Sequence, residues 1–254
     1  MAQLTALALA GAIIGAVGTL VGTGGGWAMV PFFILAMGME PAAAAGTSLA
    51  VVLLNAVSGT VAYMWQRRVL YRMALVYAAA TIPGALAGPR LHALINRATF
   101  AMAFGVFLLV LSALLLRQRT PAPRVEGEAP YVPTRRVLGW GAVASLGVGV
   151  FSSVLGVGGG IIHVPVLVLA LGVPVHVATA TSHFVLAATS LAGVVGHAAL
   201  GHVRWEIALP MGAGAVLGAQ GGAWLSGRLP SDTIRRVLAV LLFVFAWSVM
   251  LGGR

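Results

Sequence analysis

Apolar stretches fill this chain almost end to end, and they are interrupted at regular places. In the first half they cover about 4–20, 27–37, 41–65, 73–87 and 99–116. In the second half they cover about 137–154, 161–171, 175–200, 207–226 and 234–251. Several approach the roughly 20 apolar residues that cross a bilayer. The runs are too continuous for the alternating strands of an outer-membrane barrel. The pattern predicts an all-α polytopic membrane protein with about 8–10 membrane segments. The short second segment of each half cannot span hydrocarbon upright, so it is a broken helix or a re-entrant hairpin.

The only long polar stretch is RQRTPAPRVEGEAPYVPTRR, from Arg117 to Arg136, rich in Arg and Pro. That composition makes a solvent-exposed linker. The chain therefore divides into an N-terminal repeat (1–117), a linker (118–136) and a C-terminal repeat (137–254).

The halves are copies. GTGGGWAMVPFFILAMGMEPAAAAGTS, from Gly22 to Ser48, aligns without a gap on GVGGGIIHVPVLVLALGVPVHVATATS, from Gly156 to Ser182, at an offset of 134 residues. Gly24, Gly25 and Gly26 fall on Gly158, Gly159 and Gly160, and Pro31 falls on Pro165. Thr47-Ser48 falls on Thr181-Ser182, and Gly59, Gly84 and Gly88 fall on Gly193, Gly218 and Gly222. Paired Gly/Pro interruptions in two membrane repeats point to a transporter with its site between them. An odd number of crossings per half makes the repeats inverted, an even number parallel. The inverted arrangement places eleven arginines inside and four outside, against ten and five for the parallel one, and is preferred.

Composition agrees with a bilayer. Hydrophobic residues make up 60% and charged residues 8%, where a soluble domain carries about 25% charged residues. The net charge of +10 comes entirely from arginines lying between apolar segments. They read as topology markers, and nucleic acid is not expected as a partner. The chain has no Cys, which excludes disulfides and thiolate chemistry. The first segment lacks a basic n-region, so it is expected to be a retained helix. No metal site, cofactor or catalytic constellation is expected. The absence of Lys removes the Walker A motif of an ATP-driven motor.

The five acidic residues fall in loops or at segment ends. A cation in the membrane would lack a counter-charge, so a small anion is the expected substrate. Glycine runs loosen a helix, and the segment after each break offers backbone N–H groups to an anion. Tight packing of helices on small residues is the plain alternative. Substrate donors are expected from the backbone at Gly24, Gly25, Gly26, Gly158, Gly159 and Gly160, and from Thr47, Ser48, Thr181 and Ser182. For the hydroxyls, helix capping is the other reading. Asn55, present only in the first half, donates to substrate or bonds between helices. His183 has Leu49 as its counterpart and could couple transport to protons. His163 has Met29 as its counterpart. His197, matching Tyr63, and His202 read as interfacial.

The duplicated GxGGG-x4-P segment, the TS pair that follows it and the two-half layout resemble the TauE/SafE sulfite-exporter family of bacterial permeases. The resemblance covers nearly the whole chain except the linker. It implies export of sulfite, sulfoacetate or related organosulfur anions across the bacterial cytoplasmic membrane; the arginine cluster of the linker places that linker inside. It leaves the particular anion, the coupling ion and the oligomeric state open, a homodimer among the possibilities. A non-transport membrane scaffold is the main rival reading. An intramembrane enzyme using His183 as base is a second, and it lacks a partner carboxylate or thiol.

Overall fold

The computed structural model describes residues 2–92, 97–117 and 131–252. Among them are ten α-helices and no strand. They are α1 Ala2–Leu20, α2 Gly26–Pro31, α3 Pro41–Trp65, α4 Tyr71–His92, α5 Arg97–Arg117, α6 Arg135–Leu155, α7 Gly160–Pro165, α8 Val175–Ala199, α9 Trp205–Ser226 and α10 Ser231–Gly252. The 134-residue offset carries α1–α5 onto α6–α10 to within a residue at each end. Most of the linker lies outside the described residues. Its last part leads into α6, where Thr134 Oγ1 accepts from Val137 N–H at 3.3 Å.

Two local departures from ideal helix shape the middle. α2 and α7 each pass into a π-helical turn, Phe32–Ala36 and Val166–Ala170. Pro31 and Pro165 stand at the junctions. Each lacks the N–H of a regular helix and its ring crowds the carbonyl four residues back, so the hydrogen-bond register slips.

Side-chain contacts fix the sense of each helix. Asn55 lies against Gly15, and Tyr63 O–H donates to the Thr19 carbonyl at 2.6 Å, so α3 runs parallel to α1. The segment 26–36 therefore carries the chain back, as a re-entrant limb. Ser58 and Gln66 donate to the carbonyls of Val216 and Ala223, so α9 runs the same way. α4, α6 and α8 form the corresponding parallel set, linked by Tyr77 to Val137 and Thr189 to Thr81. The two sets oppose each other. Gly59 of α3 faces His183 of α8, while Gly193 of α8 faces Leu49 of α3. α5 and α10 are also antiparallel, since Ser112 donates to Ala239 while Gly105 lies beside Ala246. Equivalent helices thus run in opposite senses about a pseudo-two-fold axis.

The halves interlock. α1 packs on α9, and α6 packs on α4, the equivalent pair. Small residues allow this. A Cβ on Gly214, Gly218 or Gly222 would overlap the carbonyl oxygen of Ala8, Ala12 or Ala16, so the α1 and α9 backbones touch. Gly84 and Gly149 bring α4 and α6 together in the same way.

The outer surface is apolar. Ile13, Val143, Leu217, Phe243 and Val244 are exposed, while Thr19, Asn55, Ser145 and Thr189 are buried. Apolar outside with polar inside is the distribution a lipid solvent selects. α1, α3, α6 and α8 are long and apolar enough to cross a membrane by length and composition. α4, α5, α9 and α10, of 21 or 22 residues, run beside them. Trp65, Tyr71, Trp140 and Trp224 are exposed near one end of the bundle, Trp205 and Trp247 near the other, the placement of interfacial aromatic belts. By helix position, Arg67, Arg68, Arg72, Arg117, Arg135, Arg136, Arg228, Arg235 and Arg236 stand at the first end, and Arg90, Arg97 and Arg204 at the second.

Candidate functional site

The two glycine breaks meet at the centre of the molecule. Each follows a long helix whose chain must turn back within a few residues. Gly24 and Gly25 take φ of 74° and 85°, and Gly158 and Gly159 take 77° and 83°. Side-chain-bearing residues are strained there, which explains the glycine runs. A Cβ on Gly26 would lie 2.7 Å from Val157 Cα, and one on Gly160 would lie 2.6 Å from the Gly22 carbonyl oxygen. The breaks are therefore backbone to backbone. Gly24 and Gly158 both abut Val52 and Leu186, an equivalent pair close to the axis.

Other expected site residues fall into two groups. Thr47 and Thr181 are buried. Thr47 Oγ1 accepts from Arg204 N–H at 3.0 Å, and Thr181 Oγ1 accepts from Leu70 N–H at 3.2 Å. These are equivalent bonds, each pinning the turn before a fourth helix of one half to the third helix of the other. Ser48 is buried with its hydroxyl unpartnered. Ser182 lies closer in and donates to the Gly22 carbonyl at 3.4 Å.

Asn55 and His183 belong to a buried polar cluster beside the first break. Asn55 Nδ2 donates to the carbonyls of Gly15 and Ala215, and its Oδ1 accepts from Thr19 at 3.0 Å. Its capacity goes largely into joining α1, α3 and α9. The Thr19 hydroxyl, having given its proton to Asn55, is the acceptor for His183 Nε2 at 3.4 Å. The ring of His183 stands edge-on to Tyr63, with centroids 5.6 Å apart.

His197 stands in the last turn of α8 and is fully buried in protein. Its Nε2 bonds the Ser153 carbonyl at 3.0 Å, the bond that Tyr63 makes to Thr19 in the other half. His202 packs against it and is partly covered. An imidazole substituted for a phenol at one repeat position keeps the same helix-end contact, a signal present in the repeat alignment.

The sequence reading missed Ser152 and Ser190 at the second break, and weighed His163 below His183. Ser152, Ser190 and His163 are buried. Among the described residues, Ser152 Oγ, Ser190 Oγ and His163 Nδ1 have no hydrogen-bond partner. The first break is braced instead, with Trp27 Nε1 donating to Thr23 Oγ1 at 2.9 Å and Thr23 donating to the Gly18 carbonyl at 3.3 Å. Toward the arginine-rich end, a cavity lined by Val21, Pro165, Val168 and Thr179 reaches Arg235. Asp232 holds its Nη2 at 2.5 Å, while Nε and Nη1 are buried without a partner.

Interlocked helical repeats around paired re-entrant breaks, apolar outside and polar inside, define a membrane transporter architecture. The chain belongs to the sulfite exporter TauE/SafE family, which matches residues 7–249. It is a multi-pass bacterial membrane protein. It is 30% identical to "Probable membrane transporter protein YunE" of Bacillus subtilis, over 97% of each chain. It is 29% identical to a "Probable membrane transporter protein" of Xylella fastidiosa, over 94% of this chain and 92% of the relative. A third relative, "Probable membrane transporter protein MJ0441" of Methanocaldococcus jannaschii, is 23% identical over 98% of this chain and 96% of its own. No solved structure matches the chain.

Proposed function

We propose that this protein is a permease exporting small sulfur-containing anions, sulfite or organosulfonates such as sulfoacetate, across the cytoplasmic membrane. It acts as a carrier, not a catalyst. The anion binds at the midplane between the breaks at Gly24–Gly26 and Gly158–Gly160, with Ser48, Ser182 and His183 nearby. The observation that carries this reading is the meeting of two glycine breaks at the pseudo-two-fold axis. Irregular backbone at membrane depth is tolerated where it is buried in protein or lines a path. The buried polar side chains among the described residues are Ser, Thr, Asn and His, with no carboxylate. That favours an anion over a cation. Export and the sulfur chemistry rest on the family description.

The repeats are read as inverted across the membrane, supported by the opposite senses of equivalent helices. The arginine-rich end, with the linker, faces the cytoplasm. Arg235 and its cavity then stand on the side from which an exported anion enters.

Purified protein in proteoliposomes tests the function. Sulfite and methanesulfonate should each cross faster than in protein-free vesicles and should compete with one another. Folded protein that moves neither anion would overturn the reading and favour a scaffold. Orientation is tested separately in this Cys-free chain. A cysteine at Arg124 should resist an impermeant thiol reagent added outside intact cells, and one at Arg97 should label. The reverse pattern would reject the topology.

A further inference from the structure

The two breaks share a backbone but not a lining. A Cβ on Gly159 would stand 3.4 Å from Ser152 Oγ, 3.5 Å from His163 Nδ1 and 3.4 Å from Val148 Cγ1. These are ordinary contact distances, so a methyl carried by Gly159 would touch the serine hydroxyl and the imidazole without overlapping either. A Cβ on the adjacent Gly158 would stand 3.0 Å from Ser190 Oγ. At the 134-residue offset the first half has Gly18, Met29 and Ala56 in place of Ser152, His163 and Ser190. A Cβ on Gly25 would press on the Ile14 carbonyl oxygen and Cγ2, each at 2.9 Å. At the first break the Gly25 position is closed by backbone and the polar groups around it are bonded to one another. At the second, the Gly159 position meets polar atoms that have no partner among the described residues.

The hydrogen-bond chain defines what those atoms offer. Ser145 gives its only proton to the Gly141 carbonyl at 2.7 Å. Its oxygen can then only accept from His163, whose Nε2 lies 2.9 Å away. A neutral His163 therefore carries its proton on Nε2 and presents a bare lone pair at Nδ1. Ser152 and Ser190 add hydroxyls that can donate. Leaving such groups buried and unpaired is costly. A ligand that supplies oxygen acceptors and one acidic hydrogen matches all three.

We infer that the substrate's oxyanion is held at the second break alone, by the hydroxyls of Ser152 and Ser190, and that His163 Nδ1 accepts the hydrogen of a protonated oxyanion such as hydrogensulfite. This rests on the anion-permease reading and gives its site a polarity: the C-terminal repeat binds, while the N-terminal break is a packed abutment. An ordered water would satisfy the same atoms, and the test separates the two sources of oxygen.

Three changes remove the polar lining of the second break, and two of them install the first-half residue. Ser152→Ala and Ser190→Ala together remove both hydroxyls. His163→Met installs the residue found at the equivalent place and orphans nothing, because Ser145 keeps its bond to Gly141. Sulfite and methanesulfonate binding is measured on purified full-length protein below neutral pH, where hydrogensulfite is the sulfite species, with thermal unfolding of each variant. Ser226→Ala, at the distant end of α9, is the control. The serine pair should weaken both anions by about tenfold or more, since each bond to a charged group is worth about 1.5–3 kcal/mol. His163→Met should weaken sulfite by a similar factor and leave methanesulfonate, which has no acidic hydrogen, within about twofold. Wild-type affinities in a well-folded serine double variant would overturn the inference. So would lowered unfolding temperature with unchanged affinity, the result expected of a structural water. If the wild-type protein binds neither anion, the permease reading itself fails.

Discussion

Gly218→Leu is expected to break the molecule. A Cβ at Gly218 already overlaps the carbonyl oxygen of Ala12, and its neighbours on the stripe, Gly214 and Gly222, are equally close to Ala8 and Ala16. A leucine cannot turn away from a backbone atom, so α1 and α9 must separate along several turns. Overpacking of this kind costs about 1–3 kcal/mol where side chains can yield. Here the obstacle is main chain, and the loss should reach about 3 kcal/mol or more. The pair also holds one half to the other, so the damage spreads beyond α9. Gly84→Leu should behave alike, because it meets the Leu146 carbonyl in the equivalent pair. Gly221 has nothing within 4 Å of its would-be Cβ and is exposed. Gly221→Leu should therefore stay within about 0.5 kcal/mol of wild type. Thermal unfolding of detergent-purified protein reads the difference. Equal stability of the Gly218 and Gly221 variants would show that the close approach does not hold the halves together.

The sequence makes the helices and their equivalence legible because both are properties of single stretches. Apolar length announces membrane segments, and a gapless offset of 134 residues announces two copies. It does not say which copy each helix packs against. Gly218 and Ala12 carry no mark of partnership, and the interlocking follows from shape. The same limit explains Thr47 and Thr181. Their recurrence after the breaks suggested donors to a ligand; the fold adds that each accepts from the turn at residue 204 or 70 of the other half. Only the folded chain brings those turns near. Of the two roles open to Asn55, the fold shows the bonding between helices, through three contacts.

Ser152 and Ser190, unlike His163, were obscure for the opposite reason. Repetition drew the eye to what the halves share, and these residues are where they differ. Polar groups replacing Gly18, Ala56 and Met29 inside an apolar core are the kind of departure that buried chemistry requires. The π-helical turns after Pro31 and Pro165 were only half announced. Proline signalled a disturbed helix, and the direction of the slip depends on how the limb packs.

Gly159→Ala and Gly25→Ala should part company, although the positions are equivalent and both lie in left-handed backbone. Each substitution carries a conformational cost of about 1–2 kcal/mol from its positive φ. At Gly25 the methyl also meets the Ile14 carbonyl oxygen at 2.9 Å, tighter than ordinary contact, so the chain around Trp27 and Thr23 must shift. That variant should lose more stability than its partner and unfold at a clearly lower temperature. At Gly159 the methyl meets its neighbours at 3.4 Å or more, and the protein should fold. The methyl then occupies the space between Ser152 Oγ and His163 Nδ1 and cannot serve either as a hydrogen-bond partner. Sulfite affinity should fall about tenfold or more, because an oxyanion oxygen loses its seat while the buried groups stay unsatisfied. Unfolding temperature and sulfite binding measured on both variants decide the matter. If Gly159→Ala binds sulfite like the wild type, the second break is not where the anion sits. If both variants lose stability and binding in the same proportion, the glycine runs serve packing in each half, and the ligand must be sought along another path through the bundle.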